Sequence, residues 1–445
     1  MLKDNIIINN SKLGAIQLLN LMEVNEANKG ELIKELNQRE GAIQNDVMFN
    51  VSTILSEVKR LGDKALFKFT NEFDKVKLKK LEVKSEEIEK CFDCVEKEFI
   101  QALQEAKVNI EDYHKKQKTN GFIMAKDKGV YLGQRVIPLE RVGVYVPGGT
   151  AAYPSSVLMN VIPAKVAGVD EIVMVTPPDK DGEINPYIGV AASIAKVDKI
   201  YKVGGAQAIG ALAYGTESIK KVDKIVGPGN IFVALAKKLV FGTVDIDMIA
   251  GPSEILIIAD ENSNPSFIAA DLMSQAEHDK LASSILVTTS KRLYDEVEKQ
   301  LELQIKNLTR KDIIRDSLKK FGKALICKDI DECIDISNLV APEHLELMVD
   351  NPMEYLGKVR NAGSVFLGRY SPEPIGDYFG GTNHVLPTSG TARFFSPLSV
   401  DSFIKKSSFL YYSQKAILEN GEKIITLANK EGLTAHANSV KVRLV

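Results

Sequence analysis

The sequence predicts an α/β protein made of two open, parallel-sheet modules, with a helical region before them and a small tail after. Three observations predict it. Short β-branched runs alternate with helical stretches through the middle of the chain, the signature of parallel strands joined by helical crossovers. The alternation restarts after Gly251-Pro252-Ser253, which divides it in two. The length of 445 residues exceeds what one core ordinarily needs and is enough for two.

From about Asn50 to Gln117 the pattern is helical. Val51, Ile54, Leu55, Val58 and Leu61 recur at helical spacing until Gly62-Asp63 breaks the run, and Ser85 to Lys115 is again amphipathic. The first alternating set follows. Val142–Val146 reads as strand, Ser155 to Ala167 as helix, Ile172–Thr176 as strand and Ile188–Ala195 as helix. Lys199–Val203 reads as strand, Ala206–Ala213 as helix, Val222–Val226 as strand and Asn230–Val240 as helix. The second set gives strands at Glu254–Ala259, Ser284–Thr289, Ala324–Lys328 and Gly363–Leu367. Its helices are Pro265–His278, Arg292–Leu308 and Ile330–Leu339. Tyr145–Thr176 and Glu254–Thr289 share a strand, helix, strand pattern, which suggests an internal duplication; related strand orders in the two modules are its test. After Pro397 the chain reads as helix at Ser399–Tyr412 and Gly421–Glu431, then β-like at Val440–Val445. This tail is too short to bury a core alone, so it should pack on something else.

Composition excludes several function classes. Lys plus Arg is 57 and Asp plus Glu 59, a net charge of −2; nothing here steers the chain to nucleic acid or an anionic membrane. No segment approaches the ~20 apolar residues that span a bilayer. The first residues show no basic region followed by a long apolar run, so no secretory signal is expected. Four cysteines in a chain this long do not demand disulfides, and a reducing cytoplasm is the simpler expectation. Cys91-x-x-Cys94 has metal or redox spacing, but it lies in a charged helical stretch without a second pair and reads as structural.

Five histidines can be weighed one by one. Gln275 and His278 are i and i+3 at the end of a helix, so both sit on one face. They could hold a cation, though glutamine is a poor first choice for zinc; taken alone, a polar helix end near the helix dipole is the better reading. Glu343-His344 could act as paired acid and base, with an imidazole suited to take an alcohol proton, but the dipeptide is common. Asp377 lies in a loop rich in Gly, Pro and polar groups, where a site and a connector are equally good readings. His436, alone, reads as a surface histidine. No G-x-G-x-x-G fingerprint occurs. Gly204-Gly205-Ala206-Gln207 and Gly227-Pro228-Gly229-Asn230 each join a strand to a helix, where amides and the dipole favour phosphate, or they are only tight turns.

Taken together, an ordered series of segments resembles the histidinol dehydrogenase family. It includes Val142-Gly143-Val144-Tyr145-Val146-Pro147-Gly148-Gly149, Val203-Gly204-Gly205-Ala206-Gln207, Gly227-Pro228-Gly229-Asn230 and Ala250-Gly251-Pro252-Ser253-Glu254. It continues through Asp271-Leu272-Met273-Ser274-Gln275-Ala276-Glu277-His278, Ala341-Pro342-Glu343-His344, Gly376-Asp377-Tyr378, Gly381-Thr382-Asn383-His384 and Leu433-Thr434-Ala435-His436. The resemblance covers nearly the whole chain apart from the first 30 or so residues.

The resemblance implies NAD-linked oxidation of L-histidinol to L-histidine in two steps through L-histidinaldehyde, the last steps of histidine biosynthesis. It implies two incomplete Rossmann-like modules, which agrees with the missing fingerprint. One Zn2+ per subunit would be held by Gln275, His278, Asp377 and His436. His344 would be the base for the alcohol and Glu343 the base for water. Ser253 and Glu431 match substrate-binding positions; Tyr145, Gln207 and Asn230 match NAD contacts; His384 and Glu373 look like pocket residues. The family is homodimeric, so Glu431 and His436 are expected to act in trans. The implied division is an extension at 1–30, a first module at 31–140 plus 254–396, a second, NAD-binding module at 141–253, and a dimerisation tail at 397–445. Two competing readings are a zinc hydrolase acting on a small amino compound and a zinc-stabilised nucleotide-binding scaffold. A spread of ligands over more than 160 positions, from Gln275 to His436, argues against a compact structural zinc site.

Overall fold

A computed structural model of the chain describes residues 17–25, 30, 45–148 and 153–445. The sequence readings for 1–16, 26–29, 31–44 and 149–152, including Gly149 and most of the N-terminal extension, lie outside these residues. No helix among the described residues is long and apolar enough to cross a membrane.

Strand β1 (Asn20–Glu23) is an edge strand of a sheet completed much later in the chain. β2 (Phe122–Lys126) and β3 (Val130–Pro138) form an antiparallel ribbon. The next five strands are β4 (Arg141–Tyr145), β5 (Glu171–Thr176), β6 (Lys199–Lys202), β7 (Lys224–Val226) and β8 (Asp245–Ile246). They form one parallel sheet in the order β6-β5-β4-β7-β8. β9 (Glu254–Ala259), β10 (Ser283–Thr288), β11 (Lys323–Ile326), β12 (His344–Met348) and β13 (Ser364–Leu367) form the second parallel sheet. Its order is β1-β11-β10-β9-β12-β13. Leaving β1 aside, both modules place their strands in the order third, second, first, fourth, fifth. This is the strand-order match that the duplication reading requires.

The strands are mostly apolar, with polar residues chiefly at their ends, because both faces are covered. Ile172 and Met174 of β5 pack on one face, against the helices Lys97–Lys115, Pro154–Ala167 and Pro186–Ala195. Val173 and Val175 pack on the other, against Asn45–Leu61, Gly205–Tyr214 and Ile231–Val240. In β9, Ile255 and Ile257 face one core while Leu256 and Ile258 face its counterpart. Helix starts follow local chemistry. Pro154, Pro186 and Pro265 stand in the first turn, where a missing N–H costs nothing, and Asn185, Asn230 and Asn264 accept from the exposed amides behind them.

Several sequence expectations need correction. Residues 45–115 were grouped with 254–396, but their helices bury Val51, Leu55, Leu103 and Ile110 against the five-stranded sheet. Amphipathicity shows that a helix has an apolar face, not which sheet covers it. Residues 20–23, expected in a separate extension, join the six-stranded sheet. Ser399–Tyr412 is not helix. Val400–Phe403 makes a short 3-10 turn, and β14 (Ile404–Tyr411) pairs antiparallel with β3 over its whole length. Val440–Val445 is not β-like: Thr434–Lys441 is helical, and Leu444 folds back onto Gly421. β2, β3 and the helix Lys311–Phe321 were not read from the sequence at all.

Candidate active site

The amino edge of the six-stranded sheet gathers most of the candidate site residues. The helix Ile330–Val340 ends on Ala341, whose left-handed backbone (φ 54°) turns the chain into Pro342 and onto β12. Glu343 and His344 therefore arrive at the head of a buried strand, next to the head of β9. Gly363 runs alongside so closely that a Cβ would lie 2.5 Å from the Glu343 carbonyl oxygen, a position only glycine tolerates. Ser253, half-buried, immediately precedes β9, and its carbonyl accepts from Ser283 N at 3.0 Å.

His344 is 4% exposed, and its Nδ1 lies 2.9 Å from the Glu254 carbonyl oxygen. A carbonyl only accepts, so Nδ1 bears the proton and the neutral ring keeps its lone pair on Nε2. That Nε2 has no hydrogen-bond partner among the described residues and sits 3.7 Å from Glu373 Oε1. Burial pushes the imidazole below its ordinary range, against the pull of the Asp377 carboxylate. Glu343 Oε2 accepts from Glu254 N at 2.9 Å, and burial holds its carboxyl well above the usual range.

Glu373 and Asp377 lie one turn apart on the short helix Glu373–Tyr378. Ligand atoms of His344, Glu373 and Asp377 all lie within 4.8 Å of one another. Burial, and then the neighbouring Asp377, push Glu373 up to about 10. His384 is tied through Nδ1 to the Asp377 carbonyl at 3.1 Å, and its Nε2 is 3.4 Å from Ser156 Oγ. Burial pushes it down as well. His278, half-buried, closes the turn after the helix Pro265–Ala276, with its amide 3.2 Å from the Gln275 carbonyl oxygen. It lies near enough to His344 and His384 to disfavour their protonation. Gln275 is wholly buried, and neither side-chain heteroatom has a hydrogen-bond partner among the described residues.

A buried amide normally finds partners, and buried carboxyls crowded together resist ionising. Both features fit a site for a cation with nitrogen and oxygen ligands, and the donor set suits zinc or a similar divalent ion.

The second candidate region lies at the carboxyl ends of the five-stranded sheet. Tyr145, ending β4, is buried, and its hydroxyl accepts from Gly205 N at 3.1 Å. Gln207, in the first turn of its helix, is 1% exposed, and its Oε1 has no partner among the described residues. Asn230 is exposed and caps its helix, accepting from Phe232 N and Val233 N at 3.0 and 3.2 Å. These positions lie at or just past the carboxyl ends of β4, β6 and β7. β4 and β7 flank the point where strand order reverses, which is where dinucleotides bind in open α/β sheets.

Comparison with known proteins agrees with this geometry. Residues 37–444 match the family model described as histidinol dehydrogenase. A histidinol dehydrogenase of Clostridium acetobutylicum is 61% identical over 92% of this chain and 95% of its own length. One from Listeria monocytogenes is 55% identical over 95% and 99%. The crystal structure of histidinol dehydrogenase from Elizabethkingia anophelis superposes with a TM-score of 0.92 at 43% identity, covering 96% of this chain and 98% of that one. The chain belongs to the histidinol dehydrogenase family.

Within that family assignment, the subunit gathers Ser253, Gln275, His278, Glu343, His344 and Asp377 at one sheet edge, but not Glu431 or His436. Both are exposed on the hairpin formed by the helices Gln414–Lys430 and Thr434–Lys441. That hairpin meets the rest of the subunit mainly at Lys128, which pairs with Glu419 and whose carbonyl accepts from Ser413 Oγ. Two residues that support the candidate site have little or no signal in the sequence. Glu346, 1% exposed, accepts from Glu373 N at 2.8 Å and pairs with buried Asp271. Asn383 donates to the Met159 carbonyl at 2.7 Å and steadies the loop of His384. Glu346 had a signal, a lone acid inside the apolar strand His344–Met348; Asn383 had none beyond its place in a quoted motif.

Proposed function

We propose that this chain oxidises L-histidinol to L-histidine in two NAD-dependent steps through L-histidinaldehyde. The observation that carries the reading is His344: buried, with its proton on Nδ1 and an unpartnered Nε2 facing the cluster. Nε2 takes the alcohol proton as hydride leaves the substrate carbon for the nicotinamide. Glu343, beside it, takes a proton from the water that adds to the aldehyde; the hydrate then gives up the second hydride to a second NAD. A raised carboxyl pKa suits a base that must work near neutral pH.

Gln275, His278 and Asp377 are the residues that would hold zinc, with the partner subunit's His436 as the fourth ligand. When bound, the ion supplies positive charge and open coordination positions for the substrate's imidazole and amino nitrogens. Ser253 and Glu431 would complete the substrate pocket, Glu431 coming from the partner of a homodimer. The exposed helical hairpin, with few contacts in its own subunit, supports that exchange. Tyr145, Gln207 and Asn230 would face NAD, and the 3.4 Å link from His384 to Ser156 joins the two edges across the modules. A hydrolase using Glu343 would turn over without NAD, and the family membership speaks against it.

The test is NADH absorbance with L-histidinol and NAD, before chelation, after it, and with zinc restored. Two NADH per histidinol, lost on chelation and regained with zinc, are expected. No NADH from folded, zinc-loaded protein would remove the substrate assignment.

A further inference from the structure

The turn between β7 and the helix Ile231–Val240 is held in an unusual way. Gly227 has φ 110°, and a Cβ there would sit 2.1 Å from the Tyr145 carbonyl oxygen. The turn is thus pressed against the end of β4 in a conformation that disfavours any side chain. What fixes it comes from two other elements. Lys237, two turns along the helix, donates from Nζ to the Gly227 carbonyl at 2.9 Å. Asp247, just past β8, accepts from Gly227 N at 2.8 Å. Lys237 and Asp247 also form an ion pair with each other, their side chains only 4% and 2% exposed. Asp247 is fixed in turn by the Met248 amide at 2.6 Å.

Burying an ion pair is costly, and well-packed apolar residues often serve stability as well or better. Here both charges grip the N–H and C=O of one glycine, so the arrangement specifies geometry. We infer that Lys237 and Asp247 are positioning residues for the coenzyme: their clasp on Gly227 sets the turn Gly227–Asn230 at the strand-order reversal, and with it the cleft that receives NAD. The inference rests on the reading that Tyr145, Gln207 and Asn230 face NAD. The clasp acts through the turn and touches no reacting atom, so its loss should weaken NAD and leave histidinol binding alone.

The test compares zinc-loaded, full-length enzyme with the double variant Lys237→Met/Asp247→Leu, in which the pair becomes apolar at similar volume. Calorimetry gives the Kd for NAD, steady-state kinetics give KM for NAD and histidinol separately, and thermal unfolding gives Tm. The expected result is a folded protein with Tm close to the parent's and NAD affinity weaker by about tenfold or more, roughly the loss of one well-placed hydrogen bond. KM for histidinol should change by less than about twofold. NAD affinity within about twofold of the parent's in the double variant would overturn the clasp. Should the double variant not fold, Lys237→Met alone removes the donor to the Gly227 carbonyl and with it one arm of the clasp; an unchanged Kd for NAD there overturns the inference equally. Tyr145→Ala and Asn230→Ala separate the two claims. If they bind NAD normally, the coenzyme reading falls and the clasp with it; if they weaken NAD while the clasp variants do not, only the clasp falls.

Discussion

Glu373 offers a direct test of how strongly its buried cluster favours a nearby cation. Its carboxyl is 2% exposed, it lies beside the Asp377 carboxylate, and Oε2 accepts a long bond from Ser274 Oγ at 3.4 Å. Burial and Asp377 raise it to about 10. The folded value lies above the unfolded one, so its favourable contribution is complete below the ordinary glutamate pKa of ~4.3. It is lost as pH rises toward 10, because the unfolded chain releases the proton first. Within that window one such group costs roughly 1.4 kcal/mol per pH unit, so about 3 kcal/mol between pH 7 and 9. Glu373→Gln keeps the shape without the charge. In chelator-treated protein the variant should therefore lose stability with pH less steeply than the parent, by about 1.4 kcal/mol per pH unit, and should be the more stable of the two at pH 9. Urea unfolding at pH 7, 8 and 9 measures both slopes. Restored zinc should flatten the parent's slope, since a nearby cation favours the ionised carboxylate. Equal slopes in parent and variant without metal would refute the argument.

Other outcomes follow from the same geometry. His344→Asn should lower kcat on histidinol by roughly 10²–10⁴ while NAD still binds; because burial depresses the imidazole, the acid limb of the parent's kcat/KM should fall below the ~6.5 of an ordinary histidine, and a limb above it would contradict the assignment. Glu343→Gln should slow aldehyde oxidation far more than alcohol oxidation, so NADH per histidinol drops from two toward one; equal slowing of both steps would count against a role in hydration. Mixing His344→Ala and His436→Ala subunits should restore about a quarter of parental activity, since half the dimers are mixed and half their sites intact; no recovery would place His436 in its own subunit's site. Asn383→Ala removes the donor to the Met159 carbonyl and the acceptor for Val385 N at 2.9 Å, and should cost about 2–4 kcal/mol in urea unfolding.

The parallel sheets were legible in the sequence because their strands are covered on both faces. Runs such as Glu254–Ala259 contain almost nothing but branched apolar residues, and Pro and Asn mark the helix starts between them. The ribbon β2–β3 and strand β14 were not legible, for the opposite reason. Phe122–Lys126 is exposed along its whole length, so no burial pattern writes itself into that segment, and the lysines and serines of Ile404–Tyr411 suit either structure. At the site, Glu343-His344 was ambiguous as a dipeptide. Its significance comes from the head of β9, whose Glu254 peptide fixes both side chains and lies 90 residues away in sequence. Gln275 likewise gains meaning only from burial: an exposed glutamine at a helix end is ordinary, whereas one with two orphaned polar atoms asks for a ligand.

The two modules share a strand order yet carry their candidate residues at opposite ends. In the five-stranded module Tyr145, Gln207 and Asn230 stand at the carboxyl edge, the usual side for a nucleotide. In the six-stranded module Ser253, Glu343 and His344 stand at the amino edge, where the sequence rules for such sheets would not look. The contacts of the loop Gly381–Val385 give the reason. Asn383 reaches the Met159 carbonyl, and His384 reaches Ser156, both on the helix that follows β4. The amino edge of one sheet is thereby held against the start of the crossover that leaves the carboxyl edge of the other. On the proposed reading, a hydride donor held by one module and an acceptor held by the other would meet across that seam. Two copies of one strand order joined in this opposed way would then bring the reacting groups together without either module carrying a complete site.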